Sequence, residues 1–189
     1  MLAATVVGAL TGHGIAAQQK PRLVVVVFED GESVEIRDWR CRYTWTVDVG
    51  QTFYRLGELT SNDLMLEVER KTERGVTSTV DRTFPATNLA GLKYDLNRTD
   101  TQNVWVKGVT LSLVDGETFY VPWALAPSAK LLTPKNPEAK NHRIVLEGRA
   151  TLGGREGSFS KDLSPRSFLS GNTETVREVR FQLSASKNE

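Results

Sequence analysis

Two groups of acids recur in this chain at positions where paired carboxylates could serve as general acid and base. Asp30 and Glu32 flank Gly31, and Asp115 and Glu117 flank Gly116 in the same order. Glycoside hydrolysis asks only for two carboxyl groups about 5 to 10 Å apart, which an all-β scaffold can hold. The intervening glycines favour another account. Asp accepts hydrogen bonds from nearby backbone amides and Gly supplies a positive φ, so Asp-Gly-Glu is turn chemistry first. Nucleophilic catalysis by a Ser-His-Asp or Cys-His set would fall to His142, the other histidine being His13. His142 lies in the polar run Lys140-Asn141-His142-Arg143, and the chain has no Gly-x-Ser-x-Gly elbow. Cys41 takes an inward position between Trp39 and Tyr43, where a thiol behaves as a small hydrophobe. One cysteine and two histidines exclude a zinc site built from Cys and His alone. Asp95 to Thr101 sets oxygen ligands at alternate positions, but lacks the glycine and the final glutamate of a calcium loop, with Val106 in the latter place. No phosphate-cradling glycine motif is present. No catalytic residue, metal or cofactor is therefore expected, and the reading leans away from an enzyme.

Aromatic and basic side chains carry the binding alternative. Most aromatics share parity with aliphatic neighbours and read as core. Tyr120 does not: Phe119 and Val121 take the inward parity and leave it facing out, with Pro122 and Trp123 following. Exposed Trp or Tyr on a β scaffold can stack on sugar rings, or on bases where basic residues flank it. Lys130, Lys135, Lys140, His142 and Arg143 gather in a stretch that Pro127, Pro134 and Pro137 mark as a long, basic surface loop. Arg37, Arg40 and Arg42 form a second basic group. The candidate binding set is Tyr120, Trp123, Lys130, Lys135, Lys140, His142 and Arg143, and the partner an unidentified protein or a polysaccharide. With 24 basic and 23 acidic residues, net charge +1, the chain has no global field to hold a polyanion, which argues against nucleic acid. A polyanion-binding small barrel is the further alternative, and it needs the basic groups to converge.

The elements that would position these side chains are strands. Val24 to Ile36 and Val109 to Val121 each fold about an Asp-Gly-Glu turn and are each followed by a tryptophan. Asp30 and Asp115 are 85 residues apart, Trp39 and Trp123 84, and Tyr94 and Phe181 87. In the second hairpin a three-residue loop with Gly116 left-handed pairs Leu111 with Phe119 and Val109 with Val121, gathering the apolar groups on one face. The same register in the first hairpin pairs Val26 with Val34 and Val24 with Ile36. Apolar parity switches between Ile36 and Trp39, which predicts a bulge or bend near Asp38. Further strands are expected at Leu64 to Arg70, Val76 to Arg82, Leu92 to Leu96, Ile144 to Leu152, Glu156 to Leu163 and Val179 to Leu183. The pattern predicts an all-β, internally duplicated fold, with repeats at 22–98 and 103–184. These would form one antiparallel β-sandwich or two tandem small (SH3-like) β-barrels.

The first 17 residues carry no charged side chain, include an apolar run from Leu2 to Leu10 and end at Ala16-Ala17, the pattern of a secretory signal. The protein is therefore expected to be exported, periplasmic or extracellular, with the mature chain starting near Gln18 or Gln19. No segment approaches the roughly 20 apolar residues of a membrane-spanning helix.

Overall fold

The computed structural model describes residues 23–49, 53–71, 75, 77–98, 103–136, 138–165, 167–169 and 175–182. The expected export segment 1–17 lies outside them. The chain folds into β1 (Leu23–Phe28), β2 (Ser33–Val49), β3 (Phe53–Ser61), β4 (Leu64–Lys71), β5 (Thr77–Phe84), β6 (Leu89–Arg98), β7 (Asn103–Leu113) and β8 (Thr118–Pro122). A four-residue helix α1 (Ala129–Leu132) then precedes β9 (Ala139–Leu152), β10 (Arg155–Asp162), β11 (Ser167–Leu169) and β12 (Val176–Gln182). All the strand pairs are antiparallel, so the all-β expectation holds.

Both Asp-Gly hairpins adopt the register that side-chain parity required. Val24 pairs Ile36 and Val26 pairs Val34 in β1–β2, and Val109 pairs Val121 and Leu111 pairs Phe119 in β7–β8. Gly31 and Gly116 sit at φ 92° and 90°. Asp30 Oδ1 accepts from the Glu32 amide and Asp115 Oδ1 from the Glu117 amide, each at 2.9 Å. These aspartates thus hold their own turns. The bend expected near Asp38 is also present: Asp38 has φ 50°, and the β2–β9 register shifts between Arg37 and Arg40.

One sheet of ten strands runs β10-β9-β2-β1-β12-β6-β7-β11, with β3 added on β2 and β8 on β7; β4 and β5 form a separate hairpin. No closed barrel is found among the described residues, so the tandem-barrel expectation is corrected. Two long-range pairings explain why. Strand β12 sits between β1 and β6, pairing Phe181 with Val24 and Val179 with Leu92, and β9 pairs with the long β2. Strands distant in sequence are thereby joined in one sheet instead of closing into separate barrels. The β4–β5 hairpin brings Leu64, Leu66, Val68 and Phe84 into the same apolar cluster as Val24, Ile36, Leu111 and Val179. Tyr43, fully buried, anchors it by donating to the Asp63 carbonyl (2.7 Å) and accepting from the Met65 amide (3.1 Å).

The stretch Pro127 to Arg143 is less of a surface loop than its prolines implied. Pro127 bridges to Leu66, Ser128 is fully buried and caps α1 by accepting from the Leu131 amide (3.2 Å), and Leu132 joins the core.

Candidate functional site

The sequence-derived binding residues do not converge. Lys130 pairs with Asp81 at 3.5 Å, Lys140 with Asp48 at 2.7 Å and Arg143 with Asp162 at 3.8 Å, while Lys135 is exposed. Arg40 and Arg42 both reach Glu147, at 3.1 and 2.5 Å, and Arg42 also lies 3.6 Å from Glu58. The hydrogen bond from Arg42, helped by Arg40, holds the Glu147 carboxyl below its ordinary range. The basic residues are thus distributed among separate acids. His142 is half-buried, stacks on Trp45 with ring centroids 6.3 Å apart, and lies 3.4 Å from Thr133 Oγ1. Burial pushes its pKa below the usual value.

A surface cleft of about 380 Å³ is lined by Thr44, Trp45, Thr46, Asp48, Leu56 and Asn141, with Arg143 at its side. Its polar groups serve one another: Asn141 Nδ2 donates to Thr46 Oγ1 (2.9 Å), Thr46 Oγ1 donates to the Lys140 carbonyl (3.3 Å) and Lys140 meets Asp48. A pair of facing carboxylates escaped sequence reading. Glu67 and Asp81 are directly opposed across β4–β5, and burial raises the Glu67 pKa, with Asp81 adding to the effect. Asp81, however, accepts from the Ser128 hydroxyl (2.5 Å) and pairs with Lys130, which makes it the anchor of α1. Among the described residues no group of three or more His, Cys, Asp or Glu could hold a metal ion.

Tyr120 lies on the outer face of β6, β7 and β8, and Trp123 follows the end of β8. Tyr120 takes the outward parity expected of it and is half-buried, because its ring lies over Gly108; a Cβ there would run into the ring and into the Val121 carbonyl oxygen at 2.8 Å. Gly108 pairs with Pro122, so the Tyr120 hydroxyl reaches the level of Pro122, next to Trp123. Burial raises the Tyr120 pKa, and the carboxylates of Asp95 and Glu69 add to this. Trp123 is 74% exposed, with its amide donating to the Lys107 carbonyl (3.3 Å). Two residues before Lys107, Trp105 is 46% exposed and stands opposite Asn97 of β6. Trp105 is among the aromatics expected in the core, yet it shares parity with Lys107 while Val104 and Val106 turn inward.

Trp123 has φ 60° and Ala124 φ 65°. A bulky residue in the left-handed region is a genuine outlier. Its counterpart identifies where the strain comes from. Counting from the equivalent pairs Val24–Ile36 and Val109–Val121, the residue matching Trp123 is Asp38, at φ 50°. The residue matching buried Trp39 is buried Ala124. The 84-residue correspondence between the two tryptophans is therefore not structural. Both hairpins place a left-handed residue two positions past the last pair named, and the second adds another at Ala124, where Trp39 of the first is not left-handed. One supplies Asp, which tolerates that conformation, and the other supplies Trp, which does not.

No protein-family model, no curated protein and no solved structure matches this chain.

Proposed function

We propose that this is an exported, internally duplicated β-protein with a non-catalytic binding role, and that it makes contact through the aromatic outer face of β6, β7 and β8. Trp123 carries the reading. The bend it occupies can be filled by Asp, Asn or Gly at lower conformational cost, and its ring gains little from burial at 74% exposure. Folding does not account for a tryptophan there; contact with a partner does. Trp105 and Tyr120 widen the surface on a rigid sheet, as a binding site requires.

Duplication is supported by equal registers at equal offsets. Tyr94 pairs Val109 as Phe181 pairs Val24, Leu92 pairs Leu111 as Val179 pairs Val26, and Leu92 pairs Val179 itself. That last pair would mark a pseudo-two-fold axis between the repeats 22–98 and 103–184. Export rests on the sequence of residues 1–17. The separate ion pairs of Arg40, Arg42, Lys130, Lys140 and Arg143 count against the polyanion alternative.

Oxidative footprinting of the protein alone and in extract of its own host tests the binding role. Trp123 and Trp105 should lose reactivity in the extract while Leu152, exposed on β9, keeps its own. Equal reactivity of both tryptophans in the two conditions would exclude this face as a contact surface.

A further inference from the structure

We propose a second, separate site: an apolar monocarboxylic acid lies in the cleft between the β4–β5 hairpin and β8, its carboxylate on Arg82 and its body over Val80, Val68 and Phe119. The cleft holds about 470 Å³ and has Val68, Arg70, Val80, Arg82 and Phe119 among its lining residues. That size lies within the roughly 300–1,000 Å³ usual for small-molecule sites. Strand parity puts both arginines on the inner side of the hairpin. Arg82 shares its parity with Val80 and buried Phe84, and Arg70 shares its parity with buried Leu66 and Val68. Along the ladder Arg82 pairs with Leu66, Val80 with Val68 and Ser78 with Arg70, so the two arginines stand on either side of a valine pair. A position of inward parity ordinarily takes an aliphatic residue.

The charge of Arg82 is not answered within the fold. Its guanidinium lies over the Phe119 ring, 4.6 Å from the centroid, and 5.8 Å from that of Phe84, and the two rings pack 5.0 Å apart. Among the described residues neither Arg82 nor Arg70 reaches a carboxylate, whereas Arg40, Arg42, Arg98, Arg143, Arg149 and Arg180 each do. Asp81 and Glu69 also border the cleft, but from the opposite parity and with other roles. Asp81 holds Ser128 and Lys130, while Glu69, after burial and Asp95, adds to the raised pKa of Tyr120 on the outer side of β8. A methionine would cover the two rings as well as the arginine stem does, so packing leaves the charge unexplained. A guanidinium fixed at the edge of an apolar floor presents a fork of N–H donors matched to a carboxylate. Val80, Val68 and Phe119 give the hydrocarbon body of such a ligand a surface away from water.

Displacement of dansyl-undecanoate from the full-length protein, with every ligand below its micelle concentration, tests this site. Dodecanoate should displace the dye, and dodecanol, the same chain without the charge, should bind about tenfold more weakly. Arg82→Met keeps an apolar stem over the rings and removes the fork. It should weaken dodecanoate about tenfold while the thermal midpoint stays at or above that of the wild type. Methyl NMR of the wild type locates the ligand whether or not the variant folds: Val68 and Val80 should shift on titration with dodecanoate. No binding of dodecanoate by the wild type, equal binding of dodecanol, undiminished binding by Arg82→Met, or shifts confined to methyls outside the cleft would each overturn the proposal. Trp123→Ala should bind dodecanoate as the wild type does, and loss of binding there would overturn the separation of this site from the outer face.

Discussion

Asp38 and Trp123 each stand in the left-handed region two residues past matching pairs of two hairpins, at φ 50° and φ 60°, 85 residues apart in sequence. The first half fills the bend with a residue that accepts it, the second with one that resists it. That contrast separates what folding needs at this position from what it does not.

Gly148 pins the other side of the Asp38 bend. A Cβ there would meet the Arg37 carbonyl oxygen at 2.6 Å and Trp39 Cα at 3.2 Å, both of them backbone. Gly148→Ala should therefore cost about 1–3 kcal/mol, read from the urea midpoint. A neutral substitution would mean that β9 does not approach β2 this closely.

Acidification should weaken the fold in two separate windows. Burial alone depresses the His142 pKa below its ordinary 6.5, so the unfolded chain binds the proton first; stability is full above that value and declines as pH falls through it. Glu147, held down by Arg42 and Arg40, adds a second loss below its ordinary 4.5. Urea titrations at pH 7.5 and 5.5 check the first window: wild type should lose stability between them, and His142→Phe should lose less.

Retention on heparin measures whether the arginines are available. With Glu147 bridging Arg40 and Arg42, the protein should wash through at low salt, whereas Glu147→Ala should be retained longer. Strong retention of the wild type would restore the polyanion reading.

Much of this fold was legible in local pattern. The Asp-Gly turns and the alternation around them set both hairpin registers, and the parity switch before Trp39 located the bend. Strand β3 was not foreseen, because Arg55-Leu56-Gly57-Glu58-Leu59 lacks alternation and gains its order from long-range pairing with β2. Trp45 fills the space over Gly57, a compensation no local pattern announces. Convergence of the basic residues failed for a similar reason: proximity in sequence says nothing of the acids brought from other strands. At the candidate site, Tyr120's outward parity was readable and Trp105's could have been. The meaning of Trp123 was hidden, because matching tryptophan to tryptophan shifts the two hairpins by one residue.

The claim that Trp123 stands in its bend at the expense of the fold is tested most directly by thermal unfolding of Trp123→Asn beside Trp123→Ala. Asn tolerates the left-handed region, so relief of about 1 kcal/mol should raise the midpoint by about 2–4 °C for a chain of this size. Ala keeps the strain and should show no such gain. A Trp123→Asn midpoint at or below that of the wild type would contradict the account.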